Sequence, residues 1–143
     1  MPDAPTNLAN DAANTKGNQI SVTWVAPAFN GGSPVLDYSV WYDNAAGGEY
    51  TQIASGITSL SYIATSLTQG KTYRFKIKAR NVYGFSVLSG FVAILASQKP
   101  GLPVSPTTTF LQASNIVLVT WTEPDNGGSP ITGYIVSIRQ NDL

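Results

Sequence analysis

The sequence predicts an all-β protein built as an antiparallel sandwich of short strands. Several segments alternate apolar and polar residues and are rich in Val, Ile, Thr, Tyr and Phe, which is typical of half-buried strands. Runs of Gly, Asn, Ser and Pro separate these segments, and no segment keeps a helical period over three turns. Short strands at this spacing favour a sandwich over a helical or mixed fold.

The clearest strand lies at residues 73–80. Its order is Tyr73, Arg74, Phe75, Lys76, Ile77, Lys78, Ala79 and Arg80. Successive side chains of a strand point to opposite faces, so one register puts all the apolar side chains inward and all the cations in solvent. A slip of one residue would bury four cations, and the register is therefore strongly specified.

Four further segments show the same alternation. Their inward residues are predicted to be Ile20, Val22 and Trp24; Tyr38, Val40 and Tyr42; Tyr62 and Ala64; and Val92 and Ile94. Turn residues fill the intervals at 30–34, 44–48, 69–70 and 81–84.

Length and composition exclude several classes of function. The 143 residues suffice for one ordinary domain or for one and a half small ones. Eight basic residues balance eight acidic ones, so we expect no nucleic-acid partner. Without Cys or His there is no disulfide, thiolate nucleophile or imidazole catalyst. The longest apolar run, residues 91–96, is far shorter than a membrane helix, so we expect no membrane insertion.

An internal repeat sets the domain organisation. The run from Trp24 to Pro34 recurs from Trp121 to Pro130 with one loop residue fewer, and both copies contain Asn-Gly-Gly-Ser-Pro. We therefore expect a complete domain at residues 1–98, joined through a proline-containing linker to a truncated second domain at residues 99–143 that holds only its first three strands, A, B and C.

The repeated residues belong to a recognisable pattern. It comprises Pro-x-x-Pro at residues 2–5, Trp24, the Asn-Gly-Gly-Ser-Pro loop, Leu67-x-x-Gly-x-x-Tyr73, and Ala-x-Asn-x-x-Gly-x-Ser-x-x-Ser at residues 79–89. The sequence thereby closely resembles the fibronectin type III family. The resemblance implies a tandem array of seven-stranded, immunoglobulin-like antiparallel β-sandwiches, with strands A, B and E in one sheet and C, C′, F and G in the other.

The resemblance also implies which residues form the structural core. They are Trp24, Tyr38, Leu67 and Tyr73 in the first copy, and Trp121 and Tyr134 in the second. The run from Leu67 to Tyr73 resembles a tyrosine corner, in which the phenol bonds to the backbone a few residues upstream.

Three strands at residues 101–143 form a unit of about 40 residues, which rarely folds without a staple or a partner. We expect this half to be disordered, to be ordered by contacts in trans, or to compete with the first copy for its strands. Self-assembly through the second domain is therefore one possible partner interaction.

One surface is a candidate for partner binding. Five of the eight basic residues lie between Lys71 and Arg80. The implied sheet order places Trp41 beside Arg74, Lys76 and Lys78, where a cation–π stack can form. This surface suits acidic glycans, acidic peptides or a neighbouring domain. In the alternative interpretation it is a solvated face whose lysine and arginine stems shield Trp41.

The loops offer a second candidate surface. Tyr83 and Phe85, in the loop at residues 81–86, either pack against the next domain or cap the loop. We interpret the Asn-Gly-Gly-Ser-Pro loop as a tight turn, because Gly supplies positive φ and Pro restarts the strand.

The sequence gives little support for catalysis. The carboxylates, among them Asp37, Asp43, Glu123 and Asp125, are scattered, and we expect most of the chain's eight carboxylates to be solvated loop charges. Glycosidase chemistry needs two carboxylates in one cleft, and Ca²⁺ needs alternating oxygen ligands in a loop. We therefore expect no catalytic residue, no cofactor and no metal.

These observations favour a non-enzymatic spacer that also serves as a protein-contact or adhesion unit of a larger surface, extracellular or filament-forming protein. Two alternatives remain open. One is an intracellular cytoskeletal or ciliary scaffold array, and the other is an accessory module of a secreted carbohydrate-active enzyme. We expect an extracellular or cell-surface location, with the cytoplasmic cytoskeleton or cilium as the alternative.

Overall fold

The computed structural model describes residues 1–139, and residues 140–143 lie outside the described range. The described residues form ten β-strands. The strands are β1 (Thr6–Asn10), β2 (Ile20–Val25), β3 (Asp37–Tyr42), β4 (Thr51–Ile57), β5 (Ser61–Ala64), β6 (Thr72–Asn81), β7 (Gly84–Phe85), β8 (Val92–Leu95), β9 (Thr107–Leu111) and β10 (Ile116–Thr120).

The first eight strands form two antiparallel sheets. One sheet has the order β1-β2-β5, and the other has the order β4-β3-β6, with both β7 and β8 pairing with β6. Strands β7 and β8 share the position of a single strand G that is interrupted between them. The predicted all-β, antiparallel, immunoglobulin-like sandwich and its division into two sheets are therefore confirmed.

The core lies between these sheets and follows the alternation of the sequence. Its fully or nearly fully buried side chains include Ile20, Val22 and Trp24 of β2, Tyr38 and Val40 of β3, Tyr73, Phe75, Ile77 and Ala79 of β6, and Ile94 of β8. Trp24 meets Tyr38 edge-on, with their ring centroids 5.5 Å apart. Aromatic pairs favour this geometry, and here it joins one sheet to the other.

Two buried serines bridge the interruption between β7 and β8. The amide of Ala79 donates to Ser86 Oγ at 3.0 Å, and the amide of Ile77 donates to Ser89 Oγ at 2.9 Å. The serine amides donate back to the carbonyl oxygens of Ala79 and Ile77. Each hydroxyl thus takes the place of a ladder carbonyl, so the edge of β6 has no unpaired buried amide at these positions.

The second segment forms a smaller unit. Strands β9 and β10 make an antiparallel hairpin, and residues 121–139 contain no strand. Trp121 and Tyr134 approach each other with ring centroids 5.2 Å apart, much as Trp24 and Tyr38 do.

The second segment has no buried core among its described residues. Trp121 and Tyr134 remain 39% and 41% exposed, so the prediction that they lie in a core is wrong for the described chain. The physical reason is the lack of an opposing sheet. In the first copy β3 is held between β4 and β6, and the described part of the second segment contains no equivalent of either strand.

Tyr73 closes the crossover between β5 and β6. Its side chain is 4% exposed, and its phenol oxygen accepts a hydrogen bond of 2.9 Å from the amide of Thr68. Its ring stacks on Tyr42 with an interplanar angle of 4°. Leu67, which precedes this amide, is half-buried against the core, and its own amide donates to the carbonyl of Asn18.

Tyr73→Phe tests how much this crossover contributes. We expect the free energy of unfolding to fall by about 0.5–1.5 kcal/mol, because the ring still packs but the amide of Thr68 loses its acceptor and turns to water. Urea denaturation followed by tryptophan fluorescence measures the change, with Tyr83→Phe as the control at a position that is 67% exposed. Equal stability of the two variants would contradict this role for the Tyr73 hydroxyl.

Candidate functional site

The outward face of β6 carries a row of four cations, and each lies over an aromatic ring. We call these eight residues the cation–aromatic face. The pairs, with the distance from the cation to the ring centroid, are Arg74 and Phe91 (5.4 Å), Lys76 and Tyr50 (4.4 Å), Lys78 and Trp41 (5.1 Å), and Arg80 and Phe85 (5.5 Å).

The pairing of β3 with β6 positions the centre of this face. In the antiparallel register Trp41 lies opposite Lys76, and Ser39 lies opposite Lys78. The indole Nε1 of Trp41 donates to Ser39 Oγ at 3.1 Å. Ser39 is fully buried although its position is on the outward face, so the side chains around it cover it. Aliphatic stems of lysine commonly shield apolar surface in this way.

Two aspartates hold the ends of the row. Asp37, at the start of β3, accepts from Arg80 Nε at 2.9 Å and also pairs with its Nη2. This hydrogen bond raises the pKa of Arg80 above its ordinary value. Asp43, just after β3, lies 3.8 Å from Arg74 Nη1. Both arginines are thereby anchored along β3.

Asp43 also organises the backbone at this end of the sheet. Its Oδ1 accepts hydrogen bonds from the amides of Ala45 at 3.0 Å and of Arg74 at 2.9 Å. Asp37 and Asp43 are only 8% and 4% exposed, so these two are exceptions to the expectation that most carboxylates are solvated loop charges. Each is buried because it satisfies an arginine and, for Asp43, two backbone donors as well.

Lys76 and Lys78 differ from the two arginines. Within residues 1–139 neither lysine forms an ion pair with a carboxylate. Both are half-buried against Tyr50 and Trp41, and burial raises the pKa of Tyr50, so its phenol stays neutral. The centre of the face therefore presents two ammonium groups beside two rings.

The structure gathers most, but not all, of the residues that the sequence pointed to. Trp41, Lys76 and Lys78 lie together, Arg74 lies at one end of the row, and Phe85 lies at the other end over Arg80. Tyr83 stands apart at the tip of its turn, where its amide donates to Asn81 Oδ1.

Sequence reasoning missed the rings of Tyr50 and Phe91 and the role of Arg80. The alternation of side chains along a strand could have indicated Phe91. Ala93 pairs with Arg74, and Phe91 lies two residues earlier, on the same face of the sheet. That register depends on how β8 aligns with β6 across the interruption, which no local pattern specifies.

A comparison with protein-family models adds an independent observation. The model of the fibronectin type III domain matches residues 3–93, which is more than half of the chain. This chain belongs to the fibronectin type III family.

Similar curated proteins are long and modular. The striated-muscle M-protein of Gallus gallus is 31% identical over 136 residues, covering 90% of this chain and 9% of that protein. Protein sidekick-2 of Mus musculus is 28% identical over 99% of this chain and 6% of its own length. The phosphatidylinositol phosphatase PTPRQ of Homo sapiens is 30% identical over 96% of this chain and 6% of its own length. The chain thus spans less than a tenth of each of these three relatives.

Solved structures agree with the fold. A Fn3-like protein from Clostridium thermocellum is 29% identical with a TM-score of 0.54, covering 71% of this chain and 96% of that one. The twitchin kinase region of C. elegans is 27% identical with a TM-score of 0.60, covering 67% of this chain and 17% of that one. Domains A168–A170 of titin, at 22% identity and a TM-score of 0.61 over 67% of this chain and 32% of that one, support the fold alone.

Fibronectin type III domains are generally non-catalytic, and the match to this family together with the modular relatives indicates a structural or protein-binding module. Among residues 1–139, no three His, Cys, Asp or Glu side chains lie close enough together to hold a metal ion. A search of the same residues finds no helix with the length and hydropathy of a membrane span.

The aspartate that anchors Arg74 gives a direct test of the face's construction. We expect Asp43→Ala to lower the free energy of unfolding by about 1–3 kcal/mol, because two backbone amides lose their acceptor. Asp43→Asn keeps a side-chain oxygen for these amides and should cost distinctly less. Urea denaturation of both variants measures the difference. If the two substitutions cost the same, the backbone hydrogen bonds are not the source of the effect.

Proposed function

We propose that this fibronectin type III chain is a spacer and protein-contact module in a tandem array of a larger protein. The internal repeat supports the tandem arrangement, as does the alignment with M-protein, which covers 90% of the chain and so extends beyond the first domain. The antiparallel sandwich holds its ends apart, and the proline-containing linker restricts the angle between copies. Weak contacts accumulate along such an array.

The cation–aromatic face carries the contact part of this proposal. Lys76 and Lys78, whose ammonium groups pair with no carboxylate among residues 1–139, lie beside Tyr50 and Trp41. An acidic protein segment that also offers a planar or apolar side chain fits this arrangement, since carboxylates pair with the lysines while the rings provide contact area. Each exposed ion pair between a lysine and a carboxylate of the partner contributes at most about 1 kcal/mol, so a single module binds weakly.

Binding of a fluorescent oligoglutamate peptide tests the proposal. We expect the double variant Lys76→Glu, Lys78→Glu to weaken binding by about tenfold or more, and added salt to weaken binding to the parent chain. The double variant Lys16→Glu, Lys71→Glu makes the same change in net charge at two exposed lysines away from the centre of the face and serves as the control.

An equal loss of affinity in both double variants would show that only net charge matters. Binding that does not respond to salt would contradict an ionic contact. A sulfated glycan tested in parallel shows whether the face prefers a carbohydrate.

Titration of the labelled chain with unlabelled chain tests self-association. The proposed surface for it is the apolar part of residues 102–138, where Leu102, Ile135 and Ile138 are almost fully exposed.

We propose an extracellular or cell-surface location for the array. Low charge and abundant Ser, Thr and Asn support it. A cytoskeletal scaffold is the second candidate, favoured by the alignment with a striated-muscle protein. Antibody labelling of intact and permeabilised source cells distinguishes the two, because a surface array is labelled without permeabilisation and a cytoskeletal one is not.

A further inference from the structure

The loop that contains Asn-Gly-Gly-Ser-Pro follows β2 in the first copy and β10 in the second, and in both copies it contacts the segment that leads into the first strand of that copy. In the first copy the amide of Asp3 donates to the carbonyl of Phe29 at 3.0 Å, and in the second the amide of Gly101 donates to the carbonyl of Asp125 at 2.8 Å. The first loop glycine is covered each time. A side chain at Gly31 would overlap the backbone of Met1, and one at Gly127 would overlap the backbone of Gln98.

The second loop glycine differs between the copies. Around Gly32 nothing lies within 4 Å of the position that a Cβ would occupy. A Cβ on Gly128 would lie only 2.9 Å from the carbonyl oxygen of Ala96, from the Cγ of Gln69 and from the amide nitrogen of Gly70. The turn between β5 and β6 of the first domain therefore sits directly on the loop of the second copy.

Polar contacts surround this position. The side-chain amide of Gln69 donates to Asp125 Oδ1 at 2.8 Å, and the amide of Gly127 donates to the same oxygen at 2.6 Å. These two donors hold the pKa of Asp125 below its ordinary value. The amide of Gln98 donates to the carbonyl of Gly127 at 2.8 Å. Among the described residues after 98, Gly127 alone is buried.

Gln69 is confined on both sides. Its Oε1 abuts Gly17 so closely that a side chain at Gly17 would displace it, while its Cγ faces Gly128. The side chain of Gln98 also reaches this region, accepting from the amide of Gly17 at 3.4 Å. Two segments, the β5–β6 turn and residues 96–99, thus meet one loop of the second copy, and Gly17 contacts the side chains of Gln69 and Gln98.

We propose that Asp125 and Gly128 form a docking site for the β5–β6 turn of the preceding domain, and that this contact sets the angle between consecutive domains. The Asn-Gly-Gly-Ser-Pro loop, which the sequence alone presents as a tight turn, then serves as the receiving half of an interdomain joint. Gln69 supplies the donor, Asp125 supplies the acceptor, and the missing side chain of Gly128 allows the two backbones to meet. The inference rests on the proposed tandem array.

The cysteine-free chain allows a direct test by paramagnetic relaxation. A spin label on Lys71→Cys, an exposed residue of the β5–β6 turn, should broaden the amide signals of residues 126–129 in the complete chain. In a Gly128→Ala background we expect the broadening to fall well below that of the parent chain. Gly32→Ala is the matched control, since φ is +90° at Gly128 and +81° at Gly32 and only Gly128 has close neighbours.

Gln69→Ala adds a variant without backbone strain. It removes the donor to Asp125 and should reduce the broadening, while the amide shifts of β6 report that the first domain remains folded. The proposal is overturned if the parent chain shows no broadening, if Gly128→Ala and Gln69→Ala both retain it, or if Gly32→Ala loses it equally. Binding of oligoglutamate to the cation–aromatic face does not depend on any of these outcomes. Failure of the proposed interdomain contact is therefore distinguishable from failure of the proposed function.

Discussion

The antiparallel pairing of β3 with β6 is the constraint on which the first domain depends. It places Val40 opposite Ile77 and Tyr38 opposite Ala79 on the inner face, where all four side chains are buried. The same register places Trp41 opposite Lys76 on the outer face. A shift by one residue would exchange the faces, exposing the apolar set and burying the cations, so the core and the candidate contact surface are fixed together.

This coupling explains why the ends of β3 carry aspartates. Four cations in a row on one strand repel each other, and a carboxylate at each end of the neighbouring strand offsets the two outer charges. The burial of Asp37 is compensated by Arg80, and the burial of Asp43 by Arg74 together with two backbone amides. The two inner lysines keep their charges free of carboxylates within the described residues, and the rings of Tyr50 and Trp41 shelter their stems. The surface that we propose for partner contact is thus the part of the row whose charges the fold does not neutralise within the described residues.

Local sequence patterns predicted the features that depend on residues close together in the sequence. The alternation at residues 73–80 specified which side of β6 faces the core, and the resemblance to the fibronectin type III family supplied the sheet membership. The burial of Asp37 and Asp43 was not predictable in this way, because their partners lie 43 and 31 residues away and the distance closes only after the strands pair. Trp121 and Tyr134 show the reverse case. Their sequence context copies that of Trp24 and Tyr38, but burial requires a second sheet, and equivalent residues without that sheet remain partly exposed.

The two parts of the chain therefore have different sources of stability. The first domain is stabilised by its closed core. The second segment is stabilised by the hydrogen bonds between β9 and β10 and by the contacts of its loop with the linker and the β5–β6 turn. Amide hydrogen exchange on the complete chain tests this account most directly, since it reports the opening free energy of each strand. The account predicts that the amides of Val40 and Ile77 exchange only through global unfolding, and that those of β10 exchange orders of magnitude faster. Protection of β10 equal to that of β6, or faster exchange at β3 and β6 than at β1, would contradict it.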